Sequence, residues 1–252
     1  TMGHQMGVGS SYGAFIAPLN VICAKTHGIG QQTLRHRTPG EANKTFVVVC
    51  GHAGVKTGED GPTHAEPQAL QVFQETFPGD VRLTLTPWDP NELWPLTAEA
   101  LLRRPAVLAP YVTRPSEVVV DREALGLAPA EASVKGVYKL LEANGKPDAT
   151  IVYQGSDVAY AFIKGVLPHL KEKGINRDVY YISSVDRLDR LPAEEREAIF
   201  PPSAAAEAMM FSGFTKATTY RWVTSERGRE FTHYPWVHGE FLGSGPGDVC
   251  LE

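Results

Sequence analysis

Residues 46–64 read FVVVCGHAGVKTGEDGPTH. Residues 46–50 are apolar without alternation, which is typical of a strand that is buried on both faces of a parallel sheet. The glycine-rich run after them leads into a segment whose apolar residues, Leu70, Val72 and Phe73, indicate a helix. A strand, a bent loop and a helix in this order predict an α/β fold, in which ligands bind at the carboxyl ends of strands.

Strand-like and helix-like segments alternate along the rest of the chain, as expected for largely parallel sheets. Strands are predicted at 107–111, 118–120, 150–153 and 179–182, and helices at 91–104, 158–170 and 192–200. Ser156 is predicted to cap the second of these helices, and residues 204–214 fit a strand or a helix. Residues 124–133, with two turn-forming residues and four alanines, interrupt the alternation. We therefore expect two domains, 1–128 and 129–252, each a mostly parallel sheet flanked by helices.

The composition narrows the functional classes. The 252 residues include 24 basic and 29 acidic side chains, and the basic ones are scattered. This argues against nucleic acid or an anionic membrane as the main partner. No apolar run approaches the roughly 20 residues that span a bilayer. Three widely spaced cysteines argue against a disulfide framework. The first residues also do not show the basic-then-apolar pattern of a secretory signal peptide, so we expect a cytoplasmic protein.

The loop after the predicted strand concentrates polar chemistry. His52, Glu59, Asp60 and His64 place two imidazoles and two carboxylates within a short, glycine-rich turn. Glycines allow the backbone to bend and to approach a ligand closely. Such a set of side chains can relay protons or hydrogen-bond a polyhydroxylated substrate.

A purely structural interpretation of this loop is also open. Thr63 and Glu66 have the spacing of a capping box, which predicts that His64 lies in the first turn of a helix. Glu59 and Glu66 then only favour the positive end of the helix dipole. Lys56 is most simply a surface lysine. The loop matches neither a phosphate-binding GxxxxGK[ST] sequence nor a metal-binding HExxH sequence.

The string GEDGPTH at 58–64, with His52 eight residues before Asp60, closely resembles the pyrimidine-domain signature of transketolases. Seven consecutive residues at matching spacing make this a specific signal. Three further segments are similar to transketolase segments, so the resemblance extends over most of the chain. These segments are 10–15, 112–115 and the GSDV turn at 155–158.

The resemblance implies a thiamine-diphosphate-dependent enzyme that moves a two-carbon ketol unit between sugar phosphates. Carried over by motif, His64 would lie near the 4′-amino group of the cofactor, and Phe15 would pack against its pyrimidine ring. Asp60 would hydrogen-bond the C2 hydroxyl of the donor. His52 and Arg114 would contact the sugar phosphate.

The chain also departs from the transketolase pattern. No glutamate matches the one that hydrogen-bonds the pyrimidine nitrogen, and Phe15 is followed by Pro18 and Val21 where further aromatics are usual. Residues 53–57 read AGVKT where the family has DSIGL. No GDG followed by a distant Asn occurs, so we expect Mg²⁺ and the diphosphate to be bound by a partner domain and not by this chain.

Three functions follow as hypotheses. The first is a pyrimidine-binding plus C-terminal portion or subunit of a transketolase, inactive without a diphosphate-binding domain, whose partners are a second copy in a homodimer, a diphosphate-binding subunit, or both. The second is a catalytically silent homologue that acts as an interaction or regulatory module. The third is a component like the beta subunit of a 2-oxoacid decarboxylase.

Overall fold

The chain folds into two four-stranded sheets with helices packed on both. The computed structural model describes residues 6–51, 53–54, 56, 64–79, 81–113 and 115–240, apart from the side chains of 26–28. Three predicted site residues, His52, Asp60 and Arg114, lie outside these residues. The predicted fold class, two α/β units with mostly parallel sheets, is confirmed.

The first sheet is wholly parallel, with the strand order β1-β2-β4-β3. Its strands are β1 (Met6–Tyr12), β2 (Thr45–Gly51), β3 (Arg82–Leu85) and β4 (Val107–Pro110). Its helices are α1 (Gly13–Ile22), α2 (Gly30–Arg37), α3 (Ala69–Thr76) and α4 (Pro90–Leu102), with a π-helical stretch at Cys23–Ile29. As the unbroken apolar run predicts, β2 is a central strand with apolar clusters on its two faces.

The second sheet has the order β5-β7-β6-β8, and only β5 runs antiparallel to its neighbour. Its strands are β5 (Val137–Leu141), β6 (Ala149–Gln154), β7 (Arg177–Ile182) and β8 (Ala208–Ser212). Its helices are α6 (Ser156–Ala161), α7 (Leu167–Glu172), α8 (Val185–Asp189), α9 (Ala193–Ile199), α10 (Pro202–Glu207) and α11 (Glu226–Glu230), with a π-helical stretch at Phe162–Val166 and a 3-10 turn at Lys216–Thr219. The ambiguous segment 204–214 therefore contains both a helix end and a strand.

A segment with little regular structure connects the two sheets. It holds α5 (Arg122–Leu125) and a 3-10 turn at Ala130–Lys135. The strand predicted at 118–120 is wrong, because no strand forms there and the side chains of Val118 and Val119 are exposed. A β-branched run without a partner strand gains no ladder hydrogen bonds.

Hydroxyl and carboxylate groups join the two sheets. Asp186 accepts hydrogen bonds from the backbone N–H and the hydroxyl of Thr84, at 2.7 and 2.6 Å. The hydroxyl of Ser184 donates to the carbonyl of Thr84, and that of Tyr181 donates to the carbonyl of Thr86. All of these groups are buried, so the contact between the sheets depends on their mutual pairing.

A buried ionic cluster lies beside these contacts. Arg122 donates to Asp89 and to Glu92, both at 2.7 Å, and its guanidinium stacks on Trp88. Tyr138 of the second sheet donates to Glu92 and accepts from the indole N–H of Trp88. Both carboxylates are inaccessible to solvent. The cluster therefore links α4, the connecting segment and β5.

Among the described residues, no helix has the length and hydrophobicity that a bilayer span requires.

Candidate functional site

The carboxyl edge of the first sheet brings together the segments that carry the predicted site. The chain leaving β2 and the chain leaving β4 continue to pair beyond the strands. Val112 donates its backbone N–H to the carbonyl of Cys50 at 2.9 Å, and Ala53 donates to Val112 at 3.1 Å. The described neighbours of His52 and Arg114 thus lie side by side at one sheet edge.

Three rings meet at the same edge. The ring of His64 lies 5.5 Å from that of Tyr12 and 5.7 Å from that of Phe15, in both cases edge to face. Tyr12 ends β1, and Phe15 lies in the first turn of α1. The side chain of Phe15 is 52% exposed and that of Tyr12 is 39% exposed. The rings therefore offer an accessible aromatic surface, against which a flat heteroaromatic ring can pack.

Phe15 and His64, two of the predicted site residues, are brought together by the fold. Their proximity comes from the parallel pairing of β1 with β2, in which Tyr12 is opposite Gly51. Tyr12 is a member of this cluster that the sequence reasoning missed. The sequence feature that could have identified Tyr12 is its position three residues before Phe15, where β1 ends and α1 begins.

The start of α3 differs from the predicted capping box. The helix begins at Ala69, so His64 precedes it instead of lying in its first turn. Glu66 is itself the capping group, since its carboxylate accepts from the backbone N–H groups of Gln68 and Ala69, at 2.7 and 3.0 Å. Burial raises the pKa of Glu66, although both hydrogen bonds favour its ionised form.

Lys56 is not a surface lysine. Its side chain is buried, forms an ion pair with Glu117, and lies over the ring of Tyr160 with the ammonium 5.6 Å from the ring centroid. Glu117 belongs to the segment that follows β4. The pair therefore joins the motif loop to the segment in which Arg114 is found.

The turn that follows β6 also differs from expectation. Ser156 makes no capping hydrogen bond, and its hydroxyl instead donates to the carbonyl of Trp88 at 2.7 Å. Asp157 is 1% exposed and lies against Gly54 of the motif loop. A Cβ atom at Gly54 would fall 2.7 Å from a carboxylate oxygen of Asp157, and Gly54 has a φ of +80°. Only glycine fits there without strain.

The ring cluster suits the aminopyrimidine of thiamine diphosphate. The exposed rings of Tyr12 and Phe15 and the half-buried ring of His64 offer a flat heteroaromatic ring an aromatic surface and an imidazole. Within the described ranges, no three His, Cys, Asp or Glu side chains are grouped to hold a metal ion.

Comparisons with known proteins point to one family. No protein-family model matches the chain. The transketolase of Aquifex aeolicus is 29% identical over 224 residues, which cover 86% of this chain and 29% of that protein. The chloroplastic transketolase of Craterostigma plantagineum is 30% identical over 174 residues, which cover 67% of this chain and 31% of that protein.

Solved transketolase structures share this fold. The enzyme from Leishmania mexicana superposes with a TM-score of 0.67 at 17% identity, covering 96% of this chain and 31% of its own. The enzyme from Campylobacter jejuni gives a TM-score of 0.66 at 16% identity, covering 96% of this chain and 32% of its own. By sequence and by fold, the chain is a homologue of the transketolase family, and it spans about a third of the length of the relatives that it matches.

Proposed function

We propose that this chain supplies the pyrimidine-binding half of a thiamine-diphosphate-dependent transketolase site. The observation that carries the proposal is the cluster of Tyr12, Phe15 and His64 at the sheet edge where the GEDGPTH loop rejoins the fold. When bound, thiamine diphosphate supplies the nucleophilic carbon that ketol transfer between sugar phosphates requires.

Each site residue has a distinct role in this proposal. Phe15 and Tyr12 pack against the pyrimidine, and His64 hydrogen-bonds near its amino group. Asp60 accepts a hydrogen bond from the C2 hydroxyl of the donor sugar. His52 and Arg114 bind the sugar phosphate as charge-assisted donors. The backbone pairing between the segments leaving β2 and β4 supports a common location for these two residues.

The proposed site needs a partner. We assign no glutamate to the pyrimidine nitrogen, and we place Mg²⁺ and the diphosphate on a diphosphate-binding domain or subunit that is not part of this chain. We also propose that the chain forms a homodimer, associates with such a subunit, or does both. Exposed apolar side chains on β1, on α1 and in the following π-helical stretch support such a partner, because contiguous apolar surface marks interaction sites. These side chains are Met6, Val8, Phe15, Val21, Ile22 and Ile29.

The remaining parts of the proposal concern organisation. We divide the chain at residue 128 into a pyrimidine-binding domain and a C-terminal domain, within the segment that connects the two sheets. We place the protein in the cytoplasm, in sugar phosphate interconversion of the pentose phosphate type.

Ligand binding tests the ring cluster without requiring catalysis. Saturation-transfer NMR with thiamine should show binding to the intact chain, and Phe15→Ala and His64→Ala should each weaken it by at least fivefold. Phe231→Ala is the matched control, because that ring is 49% exposed and belongs to the second domain. Equal effects of Phe15→Ala and Phe231→Ala would remove the support for the ring cluster as a pyrimidine site.

Activity tests the need for a partner. The purified chain alone should not transfer ketol units from xylulose 5-phosphate. Transfer should appear after the chain is mixed with a transketolase chain that carries the diphosphate-binding domain. Transfer by the chain alone would contradict the division of the site.

The departure of residues 53–57 from the transketolase sequence favours a silent interaction module as the second candidate. Absence of both thiamine binding and partner-dependent activity would support that candidate. Decarboxylation of pyruvate without ketol transfer would instead support the component of a 2-oxoacid decarboxylase.

A further inference from the structure

The second sheet has a crevice of the kind at which α/β proteins bind ligands. The chain passes from β6 to β7 on one side of β6, and β8 lies on the other side. The helices of these two crossovers pack on opposite faces of the sheet. The carboxyl ends of β6 and β8 therefore form a topological switch point, where a ligand normally sits.

In this protein, a loop of the first domain fills that crevice. The position of a Cβ on Gly54 lies 2.7 Å from Asp157, just after β6, and 3.3 Å from the carbonyl of Gly213, just after β8. Asp157 is buried between Gly54, Gly155 and Gly213. The second domain thus holds part of the motif loop at the place where a free α/β domain would hold a small molecule.

Helix α6 contacts the same loop a second time. The ring of Tyr160 lies beneath the ammonium of Lys56, and the hydroxyl of Tyr160 donates to the carbonyl of Val118 at 2.7 Å. Lys56 and Glu117 pair with each other, and each side chain is only 6% exposed. One helix of the second domain therefore contacts both segments that flank the proposed sugar phosphate site.

We propose that Lys56 and Asp157 are positioning residues, through which helix α6 of the second domain holds the motif loop in its binding conformation. The inference rests on the proposed function for the identity of the ligand, a sugar phosphate. Gly54 and Lys56 lie in the part of the loop that departs from the transketolase sequence. The second domain is accordingly part of the binding machinery and not only a packing surface.

The physical basis is the geometry of a buried ion pair. Removal of one member leaves the other charge without a partner in a site that water cannot reach, so the pair favours a single arrangement of the two segments. Release of the loop from α6 should weaken binding of the sugar phosphate. It should also expose the backbone N–H groups of Ala53 and Glu66, which donate to the carbonyls of Val112 and Gly54, to exchange with solvent.

The first experiment compares Lys56→Met with Lys139→Met in the full chain. Lys139 is a matched control because it also pairs with a carboxylate, Asp178 at 3.0 Å, and lies 5.7 Å from a tyrosine ring centroid. Lys56→Met should raise the Kd for xylulose 5-phosphate at least tenfold and accelerate amide hydrogen exchange over 51–66 at least tenfold. Lys139→Met should change neither value more than twofold.

The charge-reversed double variant Lys56→Glu, Glu117→Lys gives a rescue. Both measured values should return to within about threefold of those of the wild type, which a general loss of stability would not produce. Glu117→Gln provides a milder change if Lys56→Met does not fold. Equal exchange rates in the wild type and in the Lys56 and Glu117 variants would overturn the inference.

The second experiment isolates the contact with Asp157. Gly54→Ala and Gly145→Ala impose the same backbone strain, since the φ angles are +80° and +78°, but only the former places a Cβ against another group. Gly54→Ala should accelerate exchange over 51–66 at least fivefold more than Gly145→Ala does. Equal exchange in the two variants would remove Asp157 from the proposal. If the wild type binds no sugar phosphate, the proposed function fails, and the exchange measurements still decide whether α6 positions the loop.

Discussion

Replacement of Glu92 by Gln should change how the stability of the protein depends on pH. Glu92 is fully buried and accepts hydrogen bonds from Arg122, from Tyr138 and from the backbone N–H of Trp88. Burial raises the pKa of Glu92 from 4.5 to about 7, even though Arg122 and Tyr138 favour its ionised form. Desolvation of the carboxylate is the larger effect.

The sign and size of the effect follow from this pKa. Between pH 4.5 and about 7, the folded protein binds more protons at Glu92 than the unfolded chain does. The free energy of unfolding therefore falls as the pH rises through this window. At about 1.4 kcal/mol for each tenfold change in proton affinity, the contribution of Glu92 that is present below pH 4.5 and lost above pH 7 amounts to about 3 kcal/mol.

Urea unfolding at pH 5, 6, 7 and 8 measures this effect. The wild type should lose between about 2 and 3 kcal/mol relative to Glu92→Gln over this range, since the amide does not titrate and part of the effect lies below pH 5. Glu123→Gln, at an exposed position of the neighbouring α5, controls for the loss of one negative charge. If the wild type instead gains stability relative to Glu92→Gln towards pH 8, or if the two curves run parallel, the reasoning about desolvation is refuted.

Two further predictions concern packing. Gly136→Ala should lower the free energy of unfolding by at least about 2 kcal/mol, because its Cβ would lie 2.3 Å from the carbonyl of Ser184. Gly40→Ala is the control, because Gly40 has the same φ of +92° and no atom lies within 4 Å of its added Cβ; it should lower the free energy of unfolding by only about 1 kcal/mol. Similar losses of stability for the two variants in urea titrations would contradict the predicted clash. Burial raises the pKa of Cys23 to about 11 and that of Cys50 further. At pH 8 both buried thiols should therefore react with a maleimide only when the protein unfolds. Peptide mass spectrometry measures the labelling rate of each cysteine. Rapid labelling of the native protein would show instead that the thiols are accessible.

Local patterns predicted the elements that carry their own signal. The apolar run at 46–50 indicated the central strand β2, and helical spacing of apolar residues indicated α4 and the helical stretch that holds α6 and α7. The strand predicted at 118–120 failed because a β-branched run becomes a strand only beside another strand. Residues 204–214 stayed ambiguous because a short helix and a strand follow each other there without a break.

At the candidate site, contacts between residues far apart in the sequence could not be predicted. Lys56 finds its partner Glu117 at a sequence separation of 61, and Ser156 finds the carbonyl of Trp88 at a separation of 68. Neither partner has a local sequence signal, so the sequence pattern alone predicts a surface lysine at position 56 and a helix cap at position 156. The motif did select Phe15 and His64, whose rings the fold brings into contact. The roles of all five residues, Phe15, His52, Asp60, His64 and Arg114, remain predictions.

Strand β1 has a practical consequence for work with this protein. Among the described strands it is the outermost of its sheet, hydrogen-bonded only to β2. Residues 6–12 contain no charged residue and no proline, two features that commonly prevent strand edges from pairing with other molecules. Concentrated stocks of the chain therefore carry a risk of strand-to-strand polymerisation. A lysine at the exposed Val8 would discourage such growth and ease crystallisation and storage.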